Sequence, residues 1–253
     1  MIVMINKFDL SNKAVMLRKK LGDDAASPTD IFKLVQSIEN LTLVIYPLNR
    51  NISGVSYKGK MSSVIVINSD MSIGRQRFSL AHELYHLYYD FSEKSSVSSL
   101  KIGSGDEIER SADQFASYFL LPSEALYAYM DGIRSRGRNS LNIEDVIKLE
   151  QYFGLSHKAM IYRLLDEGLI DYEFAKSMDS GVIELAARLG YDTSLYYPPH
   201  ENQRVLVLGA YISKAEKLLE KDMISRAKYE ELLLDAFKDD IVYGTLREGV
   251  DID

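Results

Sequence analysis

FSLAHELYHLYYD, residues 78–90, places His82, Glu83 and His86 in the order H-E-x-x-H. If this stretch is helical, residues four apart stand one above the other, so the two imidazoles can converge on one metal ion. Glu83 is one step round the helix, within reach of a water beside that metal, where a carboxylate can act as general base. The helix itself is expected from Ser72 as N-cap, the lack of proline, and Leu80, Leu84 and Leu87 at helical spacing. The apolar stripe and the histidine edge are distinct. Burying the polar cluster without partners would be costly, so a plain core helix is a poor explanation of it.

A catalytic zinc site needs a third protein ligand. The chain has no cysteine, so that ligand is His, Asp or Glu. GDEIERSADQFASYFLLP, residues 105–122, carries Glu109 and Asp113 four apart on a second amphipathic segment. Glu109 is the expected third ligand, with Asp113 behind it, accepting the distal N–H of a metal-bound imidazole. Asp106, Glu107 and Asp113 remain competing ligands, and an acidic run also simply favours a helix N-terminus. An E-x-x-x-D pair one helix and loop after H-E-x-x-H resembles the thermolysin-like, gluzincin arrangement, and this favours Glu109. Zinc is the expected cofactor; histidine and carboxylate ligands also admit Mn²⁺.

The chain has 253 residues, enough for one large domain or two small ones. Thirty basic residues against 37 acidic ones give a net charge of −7, which argues against a generally basic nucleic-acid-binding surface. The lack of cysteine excludes thiolate chemistry and a disulfide framework and fits a reducing compartment. No signal-peptide core is read in MIVMINKFDL and no membrane span elsewhere, so a cytoplasmic location without membrane contact is expected.

The expected fold class is α+β: a small antiparallel sheet packed on helices carrying the H-E-x-x-H site, then a helix-turn-helix-like module and C-terminal helices. Residues 1–27 read as an extension with one helix whose Lys13, Arg18, Lys19 and Lys20 form a solvated face. Residues 28–131 read as the peptidase core. LTLVIYPL, SGVSYK and SSVIVIN supply three strands, and the serine-rich segment 91–106 reads as an exposed mobile loop. Residues 132–175 read as the helix-turn-helix-like module, broken at Gly154-Leu155-Ser156, and residues 176–253 as a helical region. The module's second helix offers only His157, Lys158 and Arg163 to DNA, so a packing role is preferred to direct DNA binding.

RQRFSLAHELYH, then ERSADQFASYFLLP, then a block ending in YRLLDEGLI together resemble the ImmA/IrrE family of metallopeptidases over about residues 28–170. Tyr85 stands where the family has a small residue, and Asp113 where it has Asn. The resemblance implies a bacterial or mobile-element (phage) zinc endopeptidase of the stress-response kind, which cleaves a helix-turn-helix repressor and so switches genes on. His82, His86 and Glu109 would hold the metal, with Glu83 as general base. The alternatives are a protein that binds a repressor without cutting it, antitoxin-like, and a DNA-binding regulator with a structural metal.

Overall fold

The computed structural model describes residues 6–91 and 94–244. The outer ends of the expected N-terminal extension and C-terminal region, residues 1–5 and 245–253, lie outside the described residues, as do residues 92 and 93 of the serine-rich segment. The chain is mixed α+β, as expected. Its strands are β1 (Leu41–Tyr46), β2 (Ile52–Lys58), β3 (Ser63–Asn68), β4 (Ser95–Ser99) and β5 (Leu206–Gly209). Its helices are α1 (Lys7–Lys20), α2 (Ile31–Gln36), α3 (Ile73–Tyr89), α4 (Glu107–Leu120), α5 (Ser123–Ser135) and α6 (Ile143–Phe153). They continue with α7 (His157–Asp166), α8 (Tyr172–Ser177), α9 (Val182–Arg188), α10 (Ala210–Glu220), α11 (Arg226–Asp235) and α12 (Asp239–Val242). Among the described residues, no helix is long and apolar enough to cross a membrane.

The sheet departs from the three antiparallel strands expected. It has five strands in the order β4-β2-β3-β1-β5. β1 and β3 run parallel, and every other pair is antiparallel. β2 is next in the chain to β1 but is separated from it by β3, and this skip is what makes the β1–β3 pair parallel. β4 lies within the segment expected to be a mobile loop. Its sequence, SSVSS, has none of the alternating hydrophobicity that marks a strand, so it is ordered by pairing with β2 rather than by its own propensity. β5 lies within a stretch expected to be helical and completes the opposite edge by pairing with β1.

The helix boundaries follow local chemistry. Ser72 caps α3, its side chain accepting from the Arg75 N–H. Asp106 caps α4 by accepting from the Glu109 N–H at 3.0 Å. α4 ends at Leu120, before Pro122. α6 and α7 are joined by a tight turn at Gly154 and a Ser156 cap, the helix-turn-helix outline expected.

One apolar cluster runs through these parts. It takes Leu10, Ala14 and Leu17 from α1, Phe78, Leu80 and Leu84 from α3, Phe115 and Phe119 from α4, and Met160 and Leu164 from α7. α1 is therefore packed into the core. Its Arg18, expected on a solvated face, is fully buried: it pairs with Asp23 at 2.9 Å and donates to the carbonyls of Ser27 and Phe119 at 2.6 and 3.2 Å. A run of basic residues in the sequence does not reveal that one of them has carbonyl partners supplied by a helix a hundred residues away.

α3 touches the α6–α7 turn at Gly74, where a Cβ would meet the Ser156 backbone nitrogen at 2.6 Å. Replacing Gly74 with Ala gains about 1 kcal/mol of helix propensity. It also forces rigid backbone apart, an overpacking cost of about 1–3 kcal/mol. Gly74→Ala is therefore expected to lower the unfolding midpoint in urea, and an unchanged or raised midpoint would refute this close contact.

Candidate metal centre

α3 and α4 lie side by side because Tyr85 packs on Phe115, ring centroids 5.6 Å apart, and Leu80, Ala81, Ala112 and Ala116 are fully buried around them. The small alanines let the helix axes approach. The result brings the polar edge of α4 onto that of α3. Tyr85 lies in this core beside Tyr89 and Phe115.

Three acceptor groups converge there. His82 Nε2 and His86 Nε2 are 3.1 Å apart, His82 Nε2 lies 3.4 Å from Glu109 Oε2, and His86 Nε2 lies 3.3 Å from Glu109 Oε1. These residues form a group that could hold a metal ion, with all ligand atoms within 4.8 Å of one another. Ligands placed tetrahedrally at about 2.0–2.1 Å from zinc are separated by about 3.3–3.4 Å. The donor set thus fits a divalent cation in both chemistry and spacing.

The far sides of both rings fix their tautomers. His82 Nδ1 is 2.8 Å from Asp113 Oδ1, and His86 Nδ1 is 3.0 Å from Asp90 Oδ2. Carboxylates only accept, so each Nδ1 carries a proton and each Nε2 presents a lone pair. Three lone pairs aimed at one point repel unless a proton or a cation lies among them. The proton affinities reflect this demand. Burial would push the His82 pKa down, but its hydrogen bonds to Asp113 and Glu109 hold it up at about 9. His86 is raised as well, Glu109 and Asp90 outweighing its burial. Glu109 is lowered to about 2, the two imidazoles outweighing the opposite effect of burial.

Glu83, fully buried, faces the sheet. Its Oε1 accepts from Ser98 Oγ at 2.6 Å and its Oε2 from Ser96 Oγ at 3.0 Å. Gly54 on β2 leaves the room this needs, since a Cβ there would lie 2.8 Å from Glu83 Oε1. A buried carboxylate beside two histidines is thereby hydrogen-bonded through both oxygens.

The structure brings together every residue singled out for the site: His82, Glu83, His86, Glu109 and Asp113. Of the competing acids, Asp106 is used as the α4 cap and Glu107 is exposed. Sequence reasoning missed Asp90, Ser96 and Ser98. Asp90 had a signal, an acid four residues beyond His86 on the same helix edge. Ser96 and Ser98 share one face of β4, yet a two-residue period inside a serine run is invisible until the strand is known. Arg163, one of the three side chains the helix-turn-helix-like module offered to DNA, is buried against Tyr118 and Glu167, in keeping with the preferred packing role.

Asp113 also accepts from the Gly103 N–H, through Oδ2 at 2.6 Å, so it links the loop before α4 to the His82 ring. Asp113→Asn should lower metal affinity about 10–100-fold, as loss of such outer partners does. Competition with a chromogenic chelator measures this, and an unchanged affinity would mean that Asp113 does not orient His82.

No curated protein matches the chain. Residues 42–165 match the family model Peptidase_M78, described as the IrrE N-terminal-like domain. That span runs from β1 through the H-E-x-x-H helix and α4 to α7. Residues 42–165 are thus a domain of this family, of metallopeptidase type.

Proposed function

We propose that this protein is a zinc-dependent endopeptidase that hydrolyses a peptide bond in a helix-turn-helix transcriptional repressor and thereby derepresses genes. The observation that carries the reading is the convergence of His82, His86 and Glu109 at 3.1–3.4 Å beside the buried Glu83, inside a peptidase-family segment. Held by these three side chains, a divalent cation would supply Lewis acidity toward a water and the scissile carbonyl.

The chain's own groups do the rest. Glu83 removes the proton of the attacking water and passes it to the leaving nitrogen. Ser96 and Ser98 fix the carboxylate for that transfer, and Asp113 and Asp90 keep both imidazoles in the tautomer that offers Nε2. β4 is the sheet edge beside Glu83 and pairs only with β2 among the described strands. An extended segment of a protein can add to that edge through main-chain hydrogen bonds, with little demand on its sequence. This is the binding mode we assign to the substrate. The repressor as target is supported by the family resemblance of the motifs rather than by any contact in the fold.

Glu83→Gln keeps the size and the serine contacts but cannot take a proton. It should retain bound zinc and lower the cleavage rate about 10²–10⁴-fold. The assay incubates purified protein with the repressor encoded nearest its gene, with and without chelator. Discrete fragments that disappear in both controls support the proposal. A stable complex with no fragments would favour the non-cleaving reading, and fragments that persist with Glu83→Gln would remove Glu83 from the chemistry.

A further inference from the structure

A second concave site lies apart from the metal centre. α3, α7, the segment after β4, the turn leading into α9 and Tyr196 enclose a groove of about 1050 Å³, and none of His82, Glu83, His86, Glu109 or Asp113 lines it. That is at the upper end of the size range of small-molecule sites. Its wall is largely apolar, built from Met71, Leu100, Ile102, Ile161, Leu165 and Val182.

The polar groups on this wall are unevenly satisfied. Arg75 donates through Nη2 to the carbonyl of Leu100 at 3.0 Å, while its Nη1 has no hydrogen-bond partner. Arg75, Lys101 and Lys158 all line the groove, and none forms an ion pair among the described residues. Burial lowers the Arg75 pKa to about 10, against the opposing charge of Asp113. Two acids, Asp179 and Glu184, also line the groove, both from the turn and helix around α9. His157 is fixed more firmly: the fully buried Glu150 accepts from its Nδ1 at 2.7 Å and from the Tyr196 hydroxyl at 2.8 Å. The ring is thereby oriented, and its Nε2 has no partner among the described residues. A partly buried, unpaired guanidinium and an oriented imidazole on an apolar wall suit an anionic head on an apolar body.

The groove is also tied to the metal centre. Leu100 and Ile102 form part of its wall, and the next residue, Gly103, donates to Asp113, which holds His82. Tyr162, another wall residue, abuts Gly103 and donates to Gln114, the neighbour of Asp113. Just before Leu100, β4 carries the two serines on Glu83.

We propose that this groove binds a small amphiphile with one carboxylate head and an apolar body, and that occupancy alters metal affinity through Leu100–Gly103 and Asp113. The head lies against His157 and the basic side chains, and the body covers the apolar wall. Pressure on Leu100 and Ile102 moves Gly103 and so the hydrogen bond that orients His82. Linkage requires the effect to be reciprocal, so metal would change the affinity for the amphiphile by the same factor.

The test uses decanoate as the probe, titrated calorimetrically into the full, metal-free chain, with decan-1-ol and decylamine as head-group controls. One saturable site is expected, with decanoate bound at least about tenfold more tightly than either control, the 1.4 kcal/mol that a charge-assisted contact supplies. Lys158→Glu, at an exposed position, should weaken decanoate at least fivefold, and Val182→Trp, which fills the groove, should abolish binding; circular dichroism establishes that both fold. Chelator competition should then show zinc affinity changed at least threefold by saturating decanoate. No saturable binding, no preference for the carboxylate, equal binding by folded Val182→Trp, or unchanged zinc affinity would each overturn the proposal. The coupling rests on the metal reading given above, whereas the first titration needs neither metal nor peptidase activity. A chain that cuts no repressor can therefore still confirm or refute the groove.

Discussion

Two imidazole lone pairs and a carboxylate held 3.1–3.4 Å apart in a mostly buried site are the constraint to which the rest of the domain answers. Such acceptors repel, and a fold tolerates them only where packing elsewhere overrides the repulsion and a positive charge joins them. The override is the α3–α4 contact, with Tyr85 packed on Phe115 and Ala81, Ala112 and Ala116 fully buried. The spacing suits one divalent ion as that positive charge. The same helix pair thus supplies the apolar contact that stabilises the domain and the polar edge on which chemistry depends.

Around that core the polar groups form a closed chain of partners. Asp113 and Asp90 occupy the Nδ1 side of each ring, Gly103 occupies the second oxygen of Asp113, and Ser96 and Ser98 occupy Glu83. Orientation is therefore set before any substrate arrives, the condition for a preorganised site. β4 has a double position in this arrangement. Its inner face holds Glu83, and its free edge is where an extended chain can pair. In the proposed reaction, substrate docking and the orientation of Glu83 would be connected through the five residues of β4.

The helix-turn-helix outline of α6 and α7 shows why topology does not establish function. Ala159, Met160 and Leu164 of α7 enter the common core, while Ile161, Tyr162 and Leu165 line the groove beside α3. Arg163 is used internally. What remains for DNA is Lys158, far short of the positive surface that phosphate binding needs. In this chain the motif closes one side of the peptidase-type domain.

The local pattern of the sequence determined much of the site. H-E-x-x-H fixes three side chains on one edge of a helix because the period of 3.6 is a property of the backbone, and Glu109 with Asp113 repeats the device. Caps at Ser72 and Ser156 and the stop before Pro122 were legible for the same reason: each is satisfied within a few residues. Tertiary structure alone decided the parts whose partners are remote. The skip that makes β1 and β3 parallel, the recruitment of SSVSS as an edge strand, the burial of Arg18 under the Phe119 carbonyl and the grip of Ser96 and Ser98 on Glu83 all depend on surfaces brought together from distant positions. Hydrogen bonds and packing energies act in space, and a one-dimensional pattern records them only where the partners are also neighbours along the chain.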